Sequence, residues 1–204
     1  MKRRVLVIVT IVNLLLSSVI AAESSSERSF LKPRIASEWW QIAGNPDLGP
    51  LSSDRQQVVD FGIWQAKDGR WQLWSCIRHT KELGHTRLFY RWEGQQLTQP
   101  HWEPKGIALR AEITYGEQLG GLQAPFVTVI DEVYHMFYGG WDAICLATSH
   151  NGKDFVRKLN AEGKSVLFGP PEGYGNPRDP MVIRIGDQWY CYFTAHTPQV
   201  GAVF

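Results

Sequence analysis

A strand–turn–strand pattern recurs three times after residue 57 and constrains the fold more than any other feature of this sequence. The copies occupy 58–74, 123–138 and 178–193, and each combines β-branched and aromatic residues with a tight turn. The aromatic residue after the turn lies nine residues beyond the proline of the second and third copies, and ten beyond Phe61 in the first. Such a shared register predicts one supersecondary unit used repeatedly.

The distance between copies indicates the size of this unit. A second strand-like half follows copy one at 86–94 and copy two at 143–155, so each unit holds about four strands. The copies are 64 residues apart from Phe61 to Pro125, and 55 apart from Pro125 to Pro180. This spacing favours four-stranded propeller blades over a sandwich, in which hairpins recur at roughly 8–12 residues without a longer unit. We therefore predict an all-β fold of the β-propeller type.

The third copy contains its hairpin and then only residues 195–204, which predict the entry to a third strand. A propeller closes with four or more blades, and an unclosed one leaves sheet faces in contact with water. The expectation is therefore a truncated propeller of about two and a half blades, spanning 38–204.

Residues 1–22 have the pattern of a secretory signal peptide: three basic residues, a largely apolar run, and then Ala21 and Ala22. The alternative is a membrane anchor, but the run is shorter than the ~20 residues that span a bilayer. We expect cleavage near Ala21 or Ala22, a secreted or periplasmic protein, and no stable membrane insertion afterwards. A polar tail at 23–37 follows.

Charge and cysteine content exclude several other classes of function. Loss of the signal leaves 18 Lys and Arg against 20 Asp and Glu, a net charge near −2, so no basic patch predicts a nucleic-acid partner. The three cysteines at 76, 145 and 191 lie in apolar strand-like runs and are expected to be buried free thiols, although export would permit one bridge. The histidines lack metal-ligand spacing, and no phosphate-binding loop is present, so no metal or cofactor is predicted.

Three polar residues stand at the starts of the first strands of the copies: Asp60, Gln123 and Asp179. The innermost strands of a propeller surround a central channel, so these positions are expected to converge at its mouth. Two carboxylates from different blades are what acid/base chemistry on a glycosidic bond requires. The alternative for either aspartate is a turn cap or a solvated surface residue.

Three motifs carry a resemblance to a known group of enzymes: Asp60-Phe61-Gly62, Gln123-Ala124-Pro125 and Arg178-Asp179-Pro180. Together they resemble the five-bladed propeller glycoside hydrolases, which include the arabinanases and xylosidases of family 43 and the invertases and levansucrases of families 32 and 68. The resemblance covers roughly 37–204 and corresponds to the N-terminal portion of such an enzyme.

The resemblance implies roles for individual residues. Asp60 matches an aspartate that is the general base in inverting members and the nucleophile in retaining ones. Asp179 matches an aspartate that orients substrate, tunes the pKa of the general acid or stabilises the transition state. Arg178 would bind substrate hydroxyls or hold a neighbouring carboxylate. Two departures stand against this: Phe61 replaces the usual proline after Asp60, and the general-acid glutamate belongs to a fourth blade beyond Phe204.

Aromatic residues in loops and at strand ends add a second indication of carbohydrate binding, because a flat ring can stack on a sugar. Trp64, Trp141 and Tyr174, together with Gln123, are the predicted substrate contacts. Three loop glutamates lie near the predicted site in sequence, and each is expected to be a surface residue rather than a substitute acid: Glu112, Glu117 and Glu172.

These observations predict an exported glycoside hydrolase-like protein acting on a poly- or oligosaccharide, with this chain alone inactive for want of an acid. Two alternatives remain: a propeller that binds glycans or proteins without catalysis, and a purely structural platform. Sugar, linkage, stereochemical outcome and oligomeric state are not predicted.

Overall fold

The computed structural model describes residues 32–36 and 38–204, and the chain divides into two units, Met1–Glu38 and Trp39–Phe204. The described residues of the first unit form no regular secondary structure. The predicted signal peptide and most of the predicted tail lie outside the described residues. Within the described part of the chain, no helix combines the length and apolar character needed to cross a membrane.

The second unit is built of antiparallel β-strands. They are β1 Gln57–Gln65, β2 Trp71–Arg78, β3 Leu88–Gly94, β4 Glu103–Leu109, β5 Gln123–Ile130, β6 Val133–Gly139, β7 Ile144–Ser149, β8 Val156–Arg157, β9 Val166–Phe168, β10 Gly175–Ile185, β11 Gln188–His196 and β12 Gly201–Val203. Two single 3₁₀ turns, Gly49–Leu51 and Ile113–Tyr115, are the only helical elements among the described residues.

The strands form three sheets that follow one another along the sequence. Sheet 1 has the order β1-β2-β3-β4, sheet 2 the order β5-β6-β7-β8 with β9 also paired to β7, and sheet 3 the order β10-β11-β12. The first strands are neighbours in space, since β1 contacts β5 and β5 contacts β10. None of the sheets closes on itself. The predicted all-β partial propeller is confirmed, with a third strand beginning in the third sheet.

The core lies between successive sheets. Trp64 and Trp74 of sheet 1 pack with buried residues of sheet 2, including Met136 and Tyr138. A smaller cluster, centred on Phe193 and Ala195, joins sheet 3 to Ile144 of sheet 2. Because the side chains of a strand alternate between its two faces, the middle sheet buries both of its faces.

A turn at the outer end of sheet 2 attaches it to sheet 1. The Trp64 Nε1–H donates to the Gly152 carbonyl (2.7 Å), and the Lys67 amide donates to the Asn151 carbonyl (3.0 Å). Asn151 Oδ1 accepts the amides of Lys153 (2.8 Å) and Asp154 (2.9 Å), which holds the turn in shape. These bonds join the β1–β2 hairpin of sheet 1 to the β7–β8 turn of sheet 2.

All three cysteines are free, as the sequence predicted. Cys76 and Cys145 are buried, and burial raises the pKa of each thiol to about 12. Cys191 is only half-buried. The thiolate is the reactive form, so the two buried thiols are inert structural groups at neutral pH.

One face of sheet 3 is exposed to solvent. Met181 pairs with Tyr192 and Ile183 pairs with Tyr190 across β10 and β11, so these side chains project from the same face. They are 40–47% exposed, and Ile185 on the same face is 53% exposed. A row of large apolar residues in water is typical of a surface that another element covers.

Candidate active-site cleft

The first strands of the three sheets meet at a cleft of about 230 Å³, and both predicted catalytic aspartates line it. Its wall consists of Asp60, Phe61, Ala124, Pro125, Phe126, Asp179 and Pro180. Asp60 belongs to sheet 1 and Asp179 to sheet 3. The structure therefore brings the two carboxylates together from positions more than a hundred residues apart.

Local backbone geometry directs these side chains into the cleft. The ladder pairing shifts register at Asp60 in β1, at Ala124 in β5 and at Asp179 in β10. These residues have φ of 36°, 46° and 54°, a left-handed conformation that costs a non-glycine residue roughly 1–2 kcal/mol. Bulges of this kind redirect a side chain and are common next to active sites. The second-sheet residue that corresponds to the two aspartates is thus Ala124, one position after Gln123.

The electrostatic surroundings of Asp60 favour its protonated form. Burial raises the pKa of Asp60, and the negative charge of Asp179 raises it further. The guanidinium groups of Arg87, Arg78 and Arg178 oppose this rise. A base with an elevated pKa keeps a proton more readily, which suits a group that must accept one during a reaction.

Asp179 is held by neighbours in its own sheet. The Thr194 hydroxyl donates to Asp179 Oδ2 (2.6 Å), and Arg178 Nε lies 3.6 Å from the same oxygen. Arg178 Nη1 also donates to the Asn176 carbonyl (3.1 Å). The Asp179 carboxylate is therefore fixed in orientation while remaining exposed to the cleft.

Replacing Asp179 with Asn is expected to lower the pKa of Asp60, because it removes the negative charge that raises it. A raised carboxyl pKa in the folded state makes the free energy of unfolding fall as pH rises from the ordinary Asp value, about 3.9, through the folded value. Asp179→Asn should shrink that fall. Carboxyl ¹³C NMR titration of Asp60 measures the shift directly, and an unchanged or higher midpoint would contradict the coupling.

The other predicted substrate contacts lie in different surroundings. Trp64 is in the core, 7% exposed, with its N–H bonded to Gly152. Tyr174 packs edge-on against Phe204, with the ring centroids 4.9 Å apart. Neither residue is among those that line the cleft.

Trp141 and Gln123 lie near the cleft but are engaged by protein groups. The Trp141 ring stacks on His85 with the centroids 3.5 Å apart, and the Arg87 guanidinium lies 5.1 Å from the ring centroid. Gln123 is fully buried and hydrogen-bonds to Arg87 and Asn176.

Arg87 and Asn176 are residues of this region that reasoning from the sequence missed. Arg87 directly precedes β3, which starts at the same end of sheet 1 as β1 because alternate strands run in the same direction. The alternation of strand direction, counted from β1, could therefore have predicted that Arg87 lies at the same end of sheet 1 as Asp60, near the mouth of the cleft. Asn176 lies two residues before Arg178 in β10, and the sequence carried no separate signal for its contact with Gln123.

None of the three loop glutamates lines the cleft. Glu117 is buried and paired with Arg157, with 2.7 Å between Glu117 Oε2 and Arg157 Nη2. Glu112 contacts the same guanidinium at 3.2 Å, and Glu172 is exposed. Within the described residues, no group of three or more His, Cys, Asp or Glu side chains is placed to hold a metal ion.

Comparison with solved structures identifies the fold. A family 117 glycoside hydrolase of the marine bacterium Zobellia galactanivorans superposes with a TM-score of 0.57 at 11% identity, over 81% of this chain and 56% of that one. An endo-1,4-β-xylanase of Bacteroides thetaiotaomicron superposes with a TM-score of 0.52 at 15% identity, over 76% of this chain and 58% of that one. No protein-family model matches the sequence, and no curated protein matches it.

The chain thus spans somewhat more than half the length of these two enzymes. The likeness is one of fold, since so few residues are identical. It agrees with the resemblance drawn from the three sequence motifs and with the three-sheet architecture. This chain has the fold of the propeller glycoside hydrolases, represented by about two and a half blades.

Proposed function

We propose that this chain is the N-terminal portion of an exported glycoside hydrolase that cleaves a poly- or oligosaccharide. The observation that carries the proposal is that Asp60 and Asp179, from separate sheets of a glycoside-hydrolase fold, line one open cleft. Glycoside hydrolysis usually requires one carboxyl group that acts as base or nucleophile and a second that acts as general acid, and Asp60 is proposed for the first of these roles.

Asp60 is the reacting carboxylate in this proposal. It either accepts a proton from the water that attacks the anomeric carbon or attacks that carbon itself, which correspond to inversion and retention. Asp179, held by Thr194 and Arg178, stays oriented toward the cleft and stabilises the positive charge that develops on the sugar ring. Arg178 is proposed to hold this carboxylate or to bind a substrate hydroxyl.

The general acid is proposed to come from further blades. Asp60 and Asp179 are the only carboxylates that line the cleft in the described part of the chain. The exposed apolar face of sheet 3 and the coverage of 56–58% of the two solved enzymes support a longer functional protein in which a fourth blade covers that face. The basic and apolar residues of the first 22 positions support export.

A second candidate function is glycan binding without turnover. It is favoured by the same absence of a third carboxyl group from the described cleft, because without a general acid the leaving oxygen departs unprotonated and about 10²- to 10⁴-fold in rate is lost. Protein binding at the same mouth and a structural platform have no specific observation in their favour.

The test compares the complete product of the gene with residues 1–204 alone. Both are incubated with a panel of aryl glycosides and plant and algal polysaccharides, and released reducing ends are measured alongside binding of the same sugars by calorimetry. We expect the complete product to cleave at least one substrate and the shorter chain to cleave none. Binding without cleavage by the complete product would favour the second candidate, and neither binding nor cleavage would refute both.

A further inference from the structure

A buried amide connects all three sheets beside the cleft. Gln123 opens β5 in sheet 2 and is fully buried. Its Oε1 accepts a hydrogen bond from Nη1 of Arg87, the residue before β3 of sheet 1, and its Nε2 donates to Asn176 Oδ1 of sheet 3 (2.5 Å). Gln123 therefore joins residues of both outer sheets next to the cleft.

The hydrogen bonds along this connection can run in only one direction. A guanidinium has donors and no acceptor, so the oxygen of the Gln123 amide must face Arg87 and its nitrogen must face Asn176. Asn176 then accepts with Oδ1, and its Nδ2 faces His196 Nε2 at 3.5 Å. Because Nδ2 is a donor, His196 Nε2 must be unprotonated.

The other ring nitrogen of His196 agrees with this direction. His196 Nδ1 lies 3.1 Å from the Thr197 carbonyl, which only accepts, so the proton is on Nδ1. Arg87, Gln123, Asn176 and His196 thus form a directional relay, in which His196 donates from Nδ1 and accepts with Nε2.

The relay lies directly against the groups that flank both aspartates. Arg87, held by Gln123, is one of the positive charges that act on Asp60. The backbone carbonyl of Asn176 accepts from Arg178 Nη1 (3.1 Å), and Arg178 Nε lies 3.6 Å from Asp179. Gln123 also directly precedes Ala124, which forms part of the cleft wall.

We propose that Gln123 is a positioning residue. It fixes Arg87, whose charge acts on Asp60, and it fixes Asn176, whose carbonyl holds Arg178 beside Asp179. The effect of this positioning on catalysis rests on the proposed function, whereas the direction of the hydrogen bonds in the relay does not depend on it. If Gln123 only added stability, substitutions of it that preserve the fold would change neither the His196 tautomer nor the titration of Asp60.

The direction is tested on residues 1–204 without substrate, by ¹⁵N NMR of labelled histidine at roughly pH 8. We expect His196 to be protonated at Nδ1 and not at Nε2. A predominant Nε2–H tautomer would overturn the relay. His135 of β6, whose Nδ1 lies 3.0 Å from the Val133 carbonyl of the same strand, is the internal control.

Two variants reverse or interrupt the direction. Asn176→Asp still accepts from Gln123 but cannot donate, so His196 must donate from Nε2, and its signal should change to the Nε2–H or doubly protonated form. Aspartate tolerates the φ of 51° at this position, so folding should be preserved. Gln123→Glu removes the donor to Asn176, so Asn176 must turn its Nδ2 toward the new carboxylate and its Oδ1 toward His196. This should produce the same change at His196. An unchanged His196 tautomer in a folded Asn176→Asp protein would overturn the proposal.

The positioning role is tested through Asp60. Gln123→Met removes the acceptor that holds Arg87 and should move the ¹³C titration midpoint of Asp60 upward, because Arg87 opposes the rise in its pKa. A midpoint equal to that of the unaltered chain, in a variant shown by NMR to be folded, would limit Gln123 to a structural role. These measurements need no enzymatic activity, so they can succeed or fail independently of the proposed hydrolase.

Discussion

Under the proposed function, replacing Asp60 with Asn is expected to lower glycoside hydrolysis by the complete gene product by about 10²- to 10⁴-fold. The amide keeps the size of the side chain and the strained bulge at φ 36°, which asparagine also tolerates. It can neither accept the proton of an attacking water nor act as a carboxylate nucleophile. The loss should therefore appear in kcat more than in KM.

A matched control is Asp187→Asn in the β10–β11 turn. Asp187 is fully exposed, and its one salt bridge within the described part of the chain is to Arg184, at 3.3 Å. We expect this variant to retain the activity of the unaltered protein. If Asp60→Asn were equally active, Asp60 would be removed from the mechanism even though it lines the cleft.

Replacing Glu117 with Ala is expected to lower the free energy of unfolding by about 3–5 kcal/mol, the usual cost of leaving a buried charge unpaired. The Glu117 side chain has no exposed surface, and its Arg157 partner is 9% exposed. Glu117 also accepts from the Tyr138 hydroxyl (2.6 Å) and the Ser165 hydroxyl (3.1 Å). Removing one carboxylate therefore leaves several buried donors without an acceptor.

Burial and the adjacent Glu117 charge raise the pKa of Tyr138 well above its ordinary value, so the phenol remains a donor. Glu112→Ala is the matched control for Glu117→Ala. It removes an exposed carboxylate from the same arginine, and exposed pairs contribute about 0–1 kcal/mol. Urea unfolding of the 204-residue chain measures both. Equal losses from the two variants would show that the buried pair adds no stability beyond the exposed one.

The hairpins of the three sheets could be predicted from the sequence because strand alternation and turn chemistry are local properties. The shared register of Phe61, Pro125 and Pro180 also indicated that residues just before them occupy equivalent places. Asp60 and Asp179 were therefore predicted to converge, and the structure brings them into one cleft.

The surroundings of Trp64 could not be predicted from the sequence. Its position near the end of β1 suggested a ring available to a sugar, but its environment depends on Gly152, 88 residues away. The same is true of Gln123, whose polar side chain at a strand start suggested a substrate contact. Its partners come from two other sheets, and no local pattern specifies which side chains those sheets bring together.

Glu117 belongs with them, because its surroundings could not be inferred from a glycine-rich loop. A loop glutamate is usually solvated, and its burial here depends on Arg157, 40 residues further along the chain. By itself, the sequence determined the strands, their turns and the repeated positions that hold Asp60 and Asp179. Only the tertiary structure decided which polar groups are buried together, because contacts between sheets depend on how whole blades pack and not on the order of residues within any one of them.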